Sequence, residues 1–228
     1  MTEKRILEMV PPSDPRLLSK IAPFQDDTLK EHDFKDRESL ANAMNDTMRK
    51  YGGLGLSCNQ VGLPYRMFVM GGHPQIEAGR TRYCFNPEVL DMSKETIMMK
   101  EGCLSFPFIF LAIRRPKWVF VKYEDENKKV KEEHLHGMSS RIFQHENEHM
   151  NGYVFRDLVS KFKWDRAKVK EEHLHGMSSR IFQHENEHMN GYIFRDLVSD
   201  FKWKRANKKA KKEIDLILKK QKHGKTIH

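Results

Sequence analysis

An α+β fold, with mixed or antiparallel β-sheets around a central helix and a C-terminal helical appendage, is what this 228-residue sequence predicts. Three observations carry that reading. An apolar run at helical spacing lies near the start, a series of short strand-like runs follows, and a second helix-length segment closes the series. The first 35 residues read as an extended arm punctuated by Pro11, Pro12, Pro15 and Pro23. From Glu38 to Tyr51 the apolar positions Leu40, Met44, Met48 and Tyr51 recur at helical spacing, and Gly52-Gly53 ends the helix. Strand-like runs then cover Tyr65–Met70, Arg82–Phe85, Val89–Met92, Thr96–Met99, Ile109–Ile113 and Trp118–Glu124. Gly71-Gly72, Asn86-Pro87 and Arg115-Pro116 read as the turns between them. Asp125–Asn127 reads as a hairpin turn with Lys129–Leu135 as its return strand. The second helix is expected over Gly137–Met150, closed by Asn151-Gly152.

Charged residues make up 32% and hydrophobic residues 38%, a composition that excludes disordered and fibrous classes. No apolar run approaches the roughly 18 residues of a membrane helix, and the N-terminus carries no secretory pattern. Cys58, Cys84 and Cys103 form no CxxC pair. An odd, unpaired count argues against a disulfide framework and for a reducing cytoplasm. The net charge of +9 resides in residues 202–228, where 11 Lys/Arg stand against Glu213 and Asp215. The rest of the chain is neutral, so an anionic partner would meet the tail.

Residues 129–167 recur as 168–206, differing only at Val154/Ile193, Lys161/Asp200 and Asp165/Lys204. Two near-identical units are too few for a solenoid and point to a tandem duplication. The expected organisation is a catalytic domain over 1–167, its duplicate segment over 168–206 and a basic helical tail over 207–228. In that tail Ala210, Ile214, Ile217 and Leu218 share one stripe.

The second predicted helix contains His145-Glu146-Asn147-Glu148-His149, an HExxH sequence. Residues four apart on a helix lie about 40° apart around the axis and roughly 6 Å along it. Both imidazoles can therefore reach one cation, with Glu146 beside it. By itself the pattern is also compatible with two exposed histidines on a polar helix. Cys103 adds a third candidate ligand, because Gly102 before it and Pro107 after it suggest a shaped loop rather than strand interior. A thiolate with two imidazoles leaves a fourth tetrahedral position open, as a catalytic site requires. Gly53-Leu54-Gly55-Leu56-Ser57-Cys58-Asn59-Gln60 supplies two glycines that let backbone approach a ligand closely, or that merely cap the first helix.

Together, Gly53–Gln60, Glu101–Ser105 (EGCLS) and Gln144–His149 resemble, in that order, the three motifs of the peptide deformylases. The resemblance covers roughly residues 5 to 165 and implies removal of the formyl group from N-formylmethionyl polypeptides during protein biosynthesis. It implies Cys103, His145 and His149 as ligands of one divalent ion, Fe(II) by family habit, with Zn(II) or Ni(II) also accepted. It implies Glu146 as general acid/base, Gln60 and the Leu104 backbone N–H as oxyanion donors, and Gly55, Leu54 and Gly102 as substrate-binding positions. Three departures stand out: Glu148 where the family has Asp, and Ser57 and Cys58 where it has small alanine-like residues. Cys58 is read as a packing residue.

The second copy offers His184, Glu185 and His188, but no second EGCLS segment precedes it. The first copy follows its strand through a short turn, and seating the second would leave a long structureless loop, uncommon in compact domains. The first copy is therefore the expected active one. Two rival readings are a zincin protease, whose downstream Gly-x-x-His extension is missing here, and a nucleic-acid-binding module working through the tail. The tail is read as a solvated amphipathic helix without sequence-specific nucleic-acid binding, suited at most to touching ribosomal RNA. No membrane partner is expected.

Overall fold

The structure is a computed structural model that describes residues 4–74 and 76–172, with side chains described as far as Lys168. The chain divides into two compact units, Met1–Glu171 and Glu172–His228. The first is described below. The second-copy positions His184, Glu185 and His188 and the basic tail from 207 onward lie outside the described residues.

The N-terminal arm contains two 3-10 turns, Pro15–Leu18 and Asp26–His32. It is held by burial as well as by its prolines: Leu17, Phe24, Leu29 and Phe34 are all in the core. Helix α1 runs Arg37–Lys50, one residue from its predicted start and end. Asp36 caps it, accepting from the Ser39 N–H while the Ser39 hydroxyl returns a bond to the Asp36 backbone. Leu40, Met44 and Met48 bury as one stripe.

Seven strands follow: β1 Gly55–Ser57, β2 Met67–Gly71, β3 Thr81–Met92, β4 Thr96–Cys103, β5 Phe106–Pro116, β6 Trp118–Glu124 and β7 Val130–His136. Five form one sheet in the order β1-β2-β3-β6-β7, and β4-β5 is a separate ribbon. Every pairing is antiparallel. The expected break at Asn86-Pro87 is instead a register shift inside one continuous strand. Asn86 adopts a left-handed φ of 51°, which Asn tolerates, and Pro87 has no N–H for the ladder to lose. Arg115-Pro116 likewise belongs to β5, and the turn falls after it.

Helix α2 spans Gly137–Met150, as the sequence predicts. Its Ile142, Phe143 and Met150 pack with Phe68 and Met70 of β2, Val119, Val121 and Tyr123 of β6, and Leu135 of β7. The Phe68 and Phe143 rings meet edge-on at 5.1 Å. The helix thus lies across the five-stranded sheet, its other side turned toward the β4-β5 ribbon. A third helix, α3 at Lys161–Glu172, was not foreseen. Its Trp164 packs edge-on against Phe106 of β5 and against Phe155. Among the described residues, no helix is long and apolar enough to cross a membrane.

The repeat has a local consequence. The pentapeptide Lys-Val-Lys-Glu-Glu at 129–133 enters strand β7, while the same five residues at 168–172 end helix α3. Local propensity does not decide between the two states; the β6 strand waiting beside residues 130–136 does.

Phe68 is fully buried in β2. Phe68→Ala should therefore destabilise the protein by about 3–5 kcal/mol, read as a lower denaturant midpoint at unchanged slope.

Candidate metal centre

The site forms where the end of β4 meets the buried face of α2. Helical spacing brings His145 and His149 onto one side of α2, with ring centroids 5.2 Å apart. Both are buried. Cys103 is the last residue of β4, where a register shift between Gly102 and Cys103 redirects the strand into the Leu104-Ser105 turn. One ligand atom from each of Cys103, His145 and His149 lies within 4.8 Å of the others. Cys103 Sγ stands 3.3 Å from His149 Nε2. Ligand bonds of about 2.3 Å to sulfur and 2.0–2.1 Å to nitrogen put tetrahedral neighbours roughly 3.3–3.6 Å apart, so this pair already fits one shared ion.

The outer atoms of the site are held as well. His145 Nδ1 lies 3.1 Å from Glu101 Oε2, which orients the ring with Nε2 inward. Glu101 is itself held by Arg115, whose Nε and an Nη are 2.6 and 2.9 Å from its two oxygens, and by Arg141 at 2.6 Å. Burial pushes the Glu101 carboxyl up, but hydrogen bonds from His145 and Arg115 outweigh it and hold it at about 2. Arg115 also reaches Glu148 with two nitrogens, one of them at 2.8 Å. The longer side chain at Glu148 therefore makes a bidentate ion pair with the arginine that clamps Glu101. Burial, with His145 and Arg115 nearby, pushes His149 well below the usual histidine range and keeps its ring neutral, the form that binds a metal.

Glu146, next to His145 on α2, is buried against β1. Its Oε2 accepts a 2.7 Å hydrogen bond from the Ser57 hydroxyl. A Cβ on Gly55 would stand 2.4 Å from its Oε1, so only glycine leaves room for this carboxylate. Burial raises the Glu146 pKa against the opposing influence of His145 and Ser57. Gln60 is fixed by the Ser57 N–H donating to its Oε1 at 2.8 Å. Its Nε2 donates to Ser105 Oγ at 3.0 Å and points at Cys103 Sγ, 3.6 Å away. Asn59 Nδ2 donates to the His149 carbonyl at 2.9 Å, tying the first motif to α2.

These contacts join all three motifs in one place. The profile of the polypeptide deformylase family matches residues 6–165. The chain belongs to this family. It is 39% identical over 153 residues to the peptide deformylase of Thermotoga sp. (strain RQ2), covering 66% of this chain and 85% of that one. The peptide deformylase of Ehrlichia chaffeensis in complex with actinonin superposes with a TM-score of 0.64 at 36% identity, over 75% of this chain and 99% of that one. A Met-Ala-Ser-bound class I type b enzyme from Acinetobacter baumannii gives 0.63 at 28%, over 69% and 100%. Membership makes the chain a metal-dependent hydrolase acting on formylated peptides, with a Cys/His/His metal site.

The remaining sequence-derived positions are placed as follows. Leu104 lies in the turn after Cys103, and its side chain fills the space where a Cβ on Gly53 would fall, 2.6 Å away. The Leu54 carbonyl accepts from the Gly71 N–H. Gly102 is exposed beneath the Phe110 ring. Cys58 is fully buried with Sγ 3.7 Å from Met67 Sδ, and burial raises its pKa, as a packing thiol requires. Sequence reasoning missed Arg115 and Arg141, which hold Glu101, and the hydroxyls of Ser57 and Ser105. Ser57 carried a signal, a polar residue in place of a small apolar one beside the glycines.

Because its carboxyl is held down from 4.5 to about 2, Glu101 stabilises the fold above pH 4.5, and this is lost as pH falls toward 2. Glu101→Gln should cost about 3–5 kcal/mol at pH 7, by stranding buried arginine charge, and should flatten the acid limb of the stability curve. Thermal melts from pH 7 to pH 2 on both proteins check this.

Proposed function

We propose that Cys103, His145 and His149 hold one catalytic divalent ion and that Glu146, Gln60 and Leu104 perform the deformylation around it. The single observation that carries the reading is the convergence of those three ligand atoms beside a buried glutamate on the same helix. A bound divalent ion supplies Lewis acidity and makes water nucleophilic near neutral pH. The overall change is hydrolysis: a water oxygen bonds to the formyl carbon, the C–N bond breaks, and formate and a free α-amine leave. Glu146 accepts a proton from the attacking water and returns it to the amine nitrogen as that bond breaks. Its raised pKa suits both halves of the exchange, and Ser57 holds the carboxylate in place. Gln60 Nε2 and the Leu104 N–H donate to the carbonyl oxygen as negative charge grows on it. Gly55, Leu54 and Gly102 line the path of the peptide backbone.

Fe(II) is our assignment for the ion, on family habit; Zn(II) and Ni(II) fit the same donors. The substrate is the formylmethionine end of newly made polypeptides in the cytoplasm, and Met-Ala-Ser bound to the Acinetobacter relative has the form of the product. Residues 1–167 are the catalytic domain in this reading, and 168–206 arose from it by tandem duplication. The basic tail from 207 onward is assigned to ribosomal RNA. Ribosome co-sedimentation that falls with salt, and is lost on ending the chain at Ala206, is the expected result; no difference between the two chains removes that assignment.

Metal analysis with an anaerobic assay tests the main reading. The protein should carry one ion and release formate from formyl-Met-Ala-Ser while leaving acetyl-Met-Ala-Ser intact. Glu146→Gln should keep the ion and lose about 10²–10⁴-fold in turnover. Near-wild-type turnover by that variant removes Glu146 from the mechanism.

A further inference from the structure

Strand β5 alternates between core and solvent. Ile109, Leu111 and Ile113 are buried with Leu17 and Phe155, whereas Phe108 and Phe110 are 40% and 63% exposed. Exposed apolar residues scattered singly are ordinary on a protein surface. These two are neighbours on one strand and stand beside the candidate metal centre: Phe110 is the register partner of Gly102, the residue before Cys103.

The ribbon is irregular at this point. Gly102 pairs with Phe110, yet the next residue of β4, Cys103, pairs with Phe106. Pro107, Phe108 and Ile109 are therefore left out of the ladder, and Phe108 takes a left-handed φ of 74°. That region is disfavoured for a bulky side chain, and a glycine there would carry no strain. Bulges of this kind re-aim side chains and gather next to functional sites, where such strain persists. Phe110 in turn leans across the ribbon onto Gly102. A Cβ on Gly102 would stand 2.9 Å from Phe110 Cε1, so glycine at 102 is what lets the ring lie there. Shielding the Gly102 backbone occupies one face of that ring and leaves most of it open. It gives no reason for a second ring held in strained backbone two residues away.

We propose that Phe108 and Phe110 are specificity-determining residues, which receive the side chains of the first two residues after formylmethionine and so favour substrates in which these are large and apolar. This inference rests on the metal-site reading above, in which the formyl group reacts beside Cys103 and the peptide backbone passes Gly102. An extended chain advances about 3.3 Å per residue, which places those two residues within roughly 10 Å of the bond that breaks. That is the neighbourhood of the two rings, one of which already covers Gly102. A leucine or phenylalanine side chain laid against them removes apolar area from water on both partners, while alanine or serine removes little. The contact is made by a part of the substrate remote from the reacting bond, so it is expressed in kcat/KM.

The test compares formyl-Met-Leu-Phe with formyl-Met-Ala-Ser on the full, metal-loaded chain as wild type, Phe110→Ala, Phe108→Gly and Phe110→Tyr. The quantity read is the ratio of the two kcat/KM values. Both peptides are assayed on one preparation, so the ratio is insensitive to any loss of ion or of folded protein. Wild type should favour formyl-Met-Leu-Phe by about 2–10-fold. Phe110→Ala and Phe108→Gly should each bring the ratio toward one, and Phe110→Tyr, which keeps a ring, should retain it. If Phe110 only shields Gly102, its removal slows both peptides alike and leaves the ratio at the wild-type value; that result overturns the proposal. So does a wild-type ratio of one or less. A wild-type chain that deformylates neither peptide defeats the site reading itself, and this inference falls with it.

Discussion

The buried carboxylate of Glu101 is the constraint on which the rest of the site depends. It sits at the end of β4, two residues before Cys103, and faces His145, Arg115 and Arg141 at once. A carboxylate this deeply buried persists only if its charge is matched and its lone pairs are filled. Meeting that requirement draws β5, through Arg115, and α2, through Arg141 and His145, onto the same point. The ribbon and the helix belong to different parts of the fold, and this ion cluster spans the boundary between them. Metal-binding geometry follows as a consequence: once His145 is turned by Glu101, its second nitrogen has one direction left to face.

A second constraint acts on Glu146, where α2 meets β1. Glu146 is buried next to His145, and β1 comes close enough to hold its carboxylate. Gly55 gives way entirely, and Ser57 donates a hydroxyl. The same short stretch then turns to present Gln60 toward the Cys103 sulfur. Three residues of strand and one turn of 3-10 helix therefore hold the Glu146 carboxylate and the Gln60 amide together, which explains why Gly55 and the glutamine sit at such close spacing.

Much of this was legible in the sequence because it is encoded locally. Period-3.6 apolar patterns located α1 and α2 to within a residue, and the HExxH spacing by itself sets two imidazoles on one helical face. Cys103 was legible through its glycine and proline neighbours. Less legible were elements whose stability is supplied from elsewhere. Strand β1 is three residues long and exists because β2 pairs with it; its glycines read as a helix exit. The Asn86-Pro87 break dissolves into a bulge because β6 continues alongside. Helix α3 draws five residues from the second copy, four of whose counterparts are strand in the first, and no local rule distinguishes the two.

The sequence alone determined the chemistry: which side chains bear sulfur, imidazole and carboxylate, and at what spacing along helix or loop, since these are properties of covalent order and helical pitch. Tertiary structure decided which of those groups meet. Arg115 and Arg141 joined the site because a buried charge demands partners, however far away in the chain they lie. Glu148 and Ser57 found their partners, Arg115 and Glu146, on other elements of the fold. The β6 edge, rather than any intrinsic preference, decided which copy of a repeated segment became strand and which became helix, because pairing energy is collected only where a partner already stands.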